Sequence, residues 1–208
     1  MRYQFGILTL VFTLTFAACK KDDDDGNPLP DGAEPYTEAN IQFVPYSSGD
    51  EKFDRVPLMD SSFSLVFKER LRTEEYYAWD QTFFYLGTDT NKVVELRLRY
   101  MQTEISQKTL AIYLPYEDSN GELQQNLFEI PIESPTEIDS GFFANIVEFY
   151  DTLILNSVEF YDVYKAEPLQ PTVSSKDGPE NFDLLYYNQV YGIIQMEQKD
   201  GSKWFLDQ

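Results

Sequence analysis

From Ile41 onward, apolar and polar residues alternate along most of the chain with a period of two. That period marks strands with one buried and one solvated face. It predicts strands over Ile41–Tyr46, Ser62–Glu69, Glu75–Leu86, Lys92–Gln102, Thr109–Tyr116, Leu123–Ile132, Asn145–Asn156, Val158–Ala166, Asp183–Tyr187, Tyr191–Gln198 and Ser202–Leu206. The fourth is the clearest. Val94, Leu96, Leu98 and Tyr100 face one way, while Glu95, Arg97 and Arg99 face the other, as an antiparallel sheet allows.

Turn chemistry agrees with this reading. Asn120-Gly121 and Asp200-Gly201 stand between strand-like runs, where residues that tolerate positive φ close hairpins. Gly87–Asn91 reads as a longer hairpin loop and Asn156-Ser157 as a tight one. The phrase Val-Glu-Phe-Tyr-Asp flanks the latter, at 147–151 and 158–162, and marks two neighbouring strands with similar faces. Ser134–Phe143 and Glu167–Asn181 interrupt the alternation as non-strand insertions. Consecutive strands joined by short turns favour an all-β, antiparallel up-and-down meander. About ten such strands curl into a partial barrel or, alternatively, stack as a two-layer β-sandwich.

A different pattern precedes the domain. Arg2 is followed by a mostly apolar run from Phe5 to Phe16, then by Ala17-Ala18-Cys19. A basic start, a short apolar run and small residues form the layout of a secretory signal peptide. The run is too short to span the hydrocarbon as a helix, which takes about 20 residues. Phe16-Ala17-Ala18-Cys19 resembles a lipobox, with Phe16 at the position usually held by Leu. The resemblance implies that Cys19 is acylated and becomes the mature N-terminus. Lys20-Lys21-Asp22-Asp23-Asp24-Asp25 is similar to the export tag of surface-exposed lipoproteins in Bacteroidota. That likeness implies the outer leaflet of the outer membrane, facing the cell exterior, with the periplasmic face as the alternative. The phrase Leu185–Ile194 followed by Asp200–Trp204 is similar to the ends of small β-rich lipoproteins of that group, which have no assigned role. The expected organisation is a signal peptide at 1–18, a lipidated Cys and acidic linker at 19–35, and one β-rich domain at 36–208. One acyl chain holds a protein marginally and two or more hold it stably, at ~0.8 kcal/mol per buried CH₂.

Composition mainly removes options. The formal net charge of −20 opposes phosphate backbones, so nucleic acid is excluded as a partner. The single cysteine is taken by the anchor, leaving neither disulfide nor catalytic thiolate. The chain has no histidine, which removes the commonest general base and the commonest transition-metal ligand. No Gly-x-Ser-x-Gly motif, no Ser three residues before a Lys and no Gly-rich phosphate loop occurs.

Three groups of residues retain candidate chemistry. Tyr77, Trp79, Phe83 and Tyr85 fall on one face of a predicted strand and, if exposed, would stack on a ligand; buried, they are core. Glu148/Asp151 and Glu159/Asp162 are the least arbitrary carboxylate pairs for histidine-free glycoside hydrolysis, although alternation sets each pair on opposite faces. Asp118–Glu122 offers oxygens to calcium, yet a plain hairpin explains it equally. Asp151-Thr152-Leu153 resembles a Bacteroidota O-glycan acceptor, but falls inside a predicted strand. No metal site or cofactor is expected. The reading is a non-enzymatic lipoprotein, held to the membrane through Cys19, that binds a glycan, a peptide or an outer-membrane protein. The alternatives are a carbohydrate-active enzyme with an Asp/Glu pair and a structural subunit of an envelope assembly. For the anchor, Cys19→Ala should leave uncleaved or soluble protein without acyl label, as metabolic labelling with a fatty acid would report.

Overall fold

A computed structural model describes residues 33–56, 61–75, 78–100, 107–118, 120–132, 138, 143, 146–169 and 182–207. Cys19, the tag Lys20–Asp25, Tyr77 and most of both insertions lie outside the described residues. The described chain forms a short helix, α1 (Glu38–Ile41), and the strands β1 (Glu51–Val56), β2 (Ser62–Glu75), β3 (Ala78–Leu86), β4 (Asp89–Tyr100), β5 (Lys108–Glu117), β6 (Leu123–Pro131), β7 (Val147–Leu155), β8 (Val158–Ala166), β9 (Phe182–Asn188), β10 (Gly192–Gln198) and β11 (Lys203–Leu206).

All eleven strands join one antiparallel sheet in the order β6-β5-β4-β3-β2-β1-β11-β10-β9-β8-β7. The expected meander is therefore present as two runs of hairpins, and it curls into a half-barrel. The runs meet at β1, whose Phe53 lies opposite Phe63 of β2 on one side and Leu206 of β11 on the other. Curling brings the far strands together. Asn126 Nδ2 of β6 donates to the carbonyl of Phe182 at 3.1 Å, and Leu169 N donates to the carbonyl of Leu127 at 2.8 Å.

A curled sheet has a concave face that must be filled. Inward residues of the strands supply part of the filling, including Leu65, Phe84, Leu96, Leu98, Ile112, Phe128 and Tyr187, all 2% exposed or less. The segment 33–46 supplies the rest by running across the concavity. Tyr36 stacks on Trp79 at 5.4 Å and meets the edge of Tyr100 at 5.2 Å. Phe43 lies against Tyr187 and Tyr164. Tyr46 sits edge-on to Phe84 at 4.9 Å, and its hydroxyl accepts from Ile193 N at 2.6 Å. Burial pushes the phenol of Tyr164 up to about 12 and those of Tyr46 and Tyr187 higher still. Gly192 makes room for this contact: a Cβ there would stand 2.1 Å from the Tyr46 oxygen, and its φ is +76°.

This segment corrects the expectation of a strand at Ile41–Tyr46. Thr37 caps α1 by accepting from Asn40 N, while the Asn40 side chain accepts from Thr37 N, a reciprocal cap that starts a helical turn. The carbonyls beyond it find partners in side chains instead of a ladder, that of Phe43 in the Tyr187 hydroxyl. Arg70 of β2 donates to the carbonyls of Ile41, Val44 and Tyr46 at 3.2, 3.3 and 2.8 Å. The same guanidinium grips Asp80 of β3 through Nε and Nη2, at 2.9 and 3.1 Å. Asp80 is only 4% exposed. Five donors in a rigid fork make arginine suited to such a junction.

Two further differences have local causes. β1 was not expected, because Phe53 is its one fully buried residue amid Glu51, Lys52, Asp54 and Arg55. The β3–β4 connection is shorter than expected: Leu86 pairs with Asp89, leaving Gly87 and Thr88, with Gly87 at a φ of +65°.

β7 and β8 build a second apolar layer on the convex side. Asp162 has a φ of +53°, which breaks the alternation of β8. Tyr164 and Ala166 face the main core, while Phe160, two residues before the break, packs with Val163, Tyr186, Ile194 and Phe205 in a separate cluster. Asn156 and Ser157, both at positive φ, close this hairpin as a two-residue primed turn does.

Removing the arginine leaves a buried carboxylate unpaired, which costs about 3–5 kcal/mol. Arg70→Met should destabilise the domain by that amount in urea unfolding, and Arg70→Met with Asp80→Leu should recover a large part of it.

Candidate functional site

The half-barrel has two ends, and segment 33–46 lies toward one of them, where an open cavity of about 470 Å³ is lined by Ile41, Val44, Arg70 and Asp80 among others. There Lys108 Nζ lies 5.6 Å from the Tyr36 ring, and the Tyr100 hydroxyl donates to the carbonyl of Glu34. The other end lies by the β3–β4 turn. β4 spans the distance between them, with Asp89 at one end and Tyr100 at the other; its 12 residues cover about 35 Å at ~3.3 Å each.

At the Asp89 end, an open cavity of about 360 Å³ is lined by Phe63, Leu86, Gly87, Thr88, Asp89, Phe182, Gln198 and Trp204. Each side chain arrives by simple strand geometry. Phe63 and Leu65 lie on the same side of β2, two residues apart, so Phe63 opens the row that leads into the core. Gln198 and Met196 share the inner side of β10, and Trp204 stands opposite Met196 on β11. Phe182 begins β9 opposite Gln198. The rings form a continuous wall: Phe63 lies 5.3 Å from Phe53, 5.0 Å from Trp204 and 6.1 Å from Phe182.

The polar groups of this wall are unevenly matched. Asp89 accepts from Asn91 N at 2.9 Å. Gln198 Nε2 and Trp204 Nε1 are buried donors without any acceptor. A buried donor left unmatched costs about 1–3 kcal/mol, and Trp79 Nε1 and Thr82 Oγ1 are unmatched in the same way in the main core. The volume suits a small molecule, since ligand pockets run from about 300 to 1,000 Å³.

The residues singled out in the sequence lie elsewhere. The aromatic row is divided: Trp79 is buried against Tyr36 in the main core. Phe83 and Tyr85 are half-buried on the other side of β3, under Lys68 Nζ at 5.6 and 5.7 Å. Tyr77 is outside the described residues. Inner positions of β3 are taken instead by Asp80, Thr82, Phe84 and Leu86. Of these only Leu86 lines the cavity, and Trp79, Phe83 and Tyr85 do not.

Glu148, Asp151, Glu159 and Asp162 are all exposed. Glu148 accepts from the Tyr150 hydroxyl and from Lys165 Nζ, and these two bonds hold its carboxyl below the usual range. A group so held stays ionised and is unsuited to donating a proton. In the Asp118–Glu122 turn, Asp118 Oδ1 accepts from the amides of Asn120 and Glu122 at 2.8 and 2.9 Å. The carboxylate thereby serves its own hairpin. Among the described residues, no group of three or more Asp, Glu or Cys is placed to hold a metal. The other turn picked out by its glycine, Asp200-Gly201, is held the same way: Asp200 Oδ1 accepts from Ser202 N at 2.8 Å, which lowers its carboxyl.

Comparison of the chain with family models, with curated proteins and with solved structures finds no match. The site therefore rests on its own geometry.

Sequence reasoning missed Phe63, Phe182, Gln198 and Trp204 as a group. They come from β2, β9, β10 and β11, and no local motif joins them. The available signal was parity, since Gln198 is a polar residue two positions after the inward Met196. Replacing an unmatched buried donor by an apolar group of similar size removes its desolvation cost. Gln198→Leu should therefore leave the fold intact and raise thermal stability by about 1 kcal/mol, measured as an upward shift in Tm.

Proposed function

We propose that this protein is a lipid-anchored, non-catalytic binding module of the outer membrane surface, and that it receives a small ligand in the open end of its half-barrel. The observation that carries the reading is the open cavity of about 360 Å³ walled by Phe63, Phe182 and Trp204.

The anchor fits this arrangement. Residue 33 follows the linker and lies at the end of the sheet where Glu34 meets Tyr100, so a tether at Cys19 leads to that end. The cavity stands at the other end, about 35 Å further along β4, directed away from an acylated N-terminus. No helix among the described residues is long and apolar enough to cross a membrane, and an acylated Cys19 makes none necessary.

Binding without turnover is supported by the wall itself. Among the described residues it carries one carboxylate, Asp89, whereas glycoside hydrolysis uses two acting across the scissile bond. The exposed Glu148, Asp151, Glu159 and Asp162 belong to β7 and β8 and do not line the cavity.

Two measurements test the proposal. On intact cells, added protease should remove the domain, and protection until the outer membrane is broken would place it on the periplasmic face. Incubated with polysaccharides and with small molecules extracted from the cell envelope, the purified domain should retain a ligand without altering it. Release of reducing ends would establish the enzyme instead.

A further inference from the structure

We infer that the ligand of this cavity is a small organic cation, with its ammonium or guanidinium head at Asp89 and its apolar body across Phe63 and Trp204. The inference rests on the cavity being a binding site and goes on to name what it takes.

The lining groups that keep accessible surface decide the class. Leu86, Phe182 and Gln198 are buried, so they shape the cavity more than they meet its contents. Phe63, Trp204 and Asp89 are half-buried, and Thr88 is exposed. An entering molecule therefore meets two ring surfaces and, from the β3–β4 turn, one hydroxyl and one carboxylate. The backbone holds this polar pair beside the rings: Gly87 N donates to the carbonyl of Ser64 at 2.7 Å, next to Phe63 in β2. Asp89 Oδ1 already accepts from Asn91 N at 2.9 Å, and an ionised carboxylate has further lone pairs to offer.

Charge then separates the candidates. Among the described lining residues Asp89 is the one charged side chain. The lysines nearest in sequence are engaged elsewhere. Lys203 stands on the opposite side of β11 from Trp204 and pairs with Glu197 at 3.1 Å, and Lys199 interacts with Asp183. An anion would meet a carboxylate inside the cavity and the field of a protein of net charge −20 outside it. A cation is drawn by that field, by the carboxylate and by the negative faces of the rings. A neutral apolar molecule gains from the rings alone. A sugar can stack on Trp204, but it carries hydroxyls on every side, and those turned toward Phe63, Phe182 and Leu86 would stay unpaired.

The test varies the head charge on one apolar body: phenylbutylamine as its ammonium, phenylbutanol and phenylbutyrate, with methyl glucoside as the sugar probe. The protein has two tryptophans, so its proton–nitrogen NMR spectrum shows two indole signals, and Trp204→Phe assigns them. Calorimetry supplies the affinities. The ammonium should shift the Trp204 indole signal and bind about fivefold more tightly than the alcohol, the order expected of one half-exposed ion pair with a ring contact. Asp89→Asn keeps an oxygen for Asn91 N while removing the charge. It should bring the ammonium close to the alcohol and leave the alcohol's own affinity unmoved, and added salt should narrow the gap in the same direction. An alcohol or carboxylate that binds as tightly as the ammonium would overturn the cation class while leaving a binding cavity in place, as would tighter binding of methyl glucoside. A preference for the ammonium that survives Asp89→Asn in full would overturn the pairing with Asp89. A Trp204 signal unmoved by every probe would overturn both the inference and the cavity as a binding site.

Discussion

A half-barrel is stable only if something occupies its concave side, and here fourteen residues ahead of the first strand do so. Their hold on the sheet depends on Arg70. One guanidinium satisfies three carbonyls of the incoming segment and the buried carboxylate of Asp80. Without those bonds, irregular backbone would lie inside an apolar space with its polar atoms unmatched. The aromatic contacts of Tyr36, Phe43 and Tyr46 fit because this junction fixes where the segment runs. The interior is thus filled by this segment toward the Tyr100 end, and an open cavity lies at the Asp89 end.

The architecture was legible where alternation was strong. β4 has alternate residues buried on one side from Val94 to Tyr100, and its period announces a half-wet sheet. The same rule misled at Ile41–Tyr46, where apolar residues are spaced as in a strand but are all directed into the concavity by a cap and an arginine. Burial was read correctly there and hydrogen bonding was not, because no local pattern reveals that backbone carbonyls will be met by a side chain distant in sequence. β1 escaped notice for the opposite reason. It is hydrogen-bonded on both sides yet has one fully buried residue, so its strand character comes from its neighbours.

The candidate site was less legible, and the reason is physical. Chemistry-bearing motifs are recognised when their residues are close in sequence, as the Val-Glu-Phe-Tyr-Asp phrases are. The cavity is assembled instead from six strands and one turn. Trp204 and Gln198 become notable only when their nitrogens are seen buried without acceptors, a property of packing that composition does not carry. The aromatic row of β3 shows the converse: Trp79 is explained by the core, and Phe83 and Tyr85 by the ammonium of Lys68 lying over them.

The pairing of β1 with β11 has a bearing on biogenesis. These strands are the first and last of the described chain, yet they lie side by side in the middle of the sheet. A polypeptide made from its amino end can zip β1 to β6 early, but the central ladder between the two halves cannot form until Lys203–Leu206 have arrived. Closure of contacts so far apart in sequence is slow.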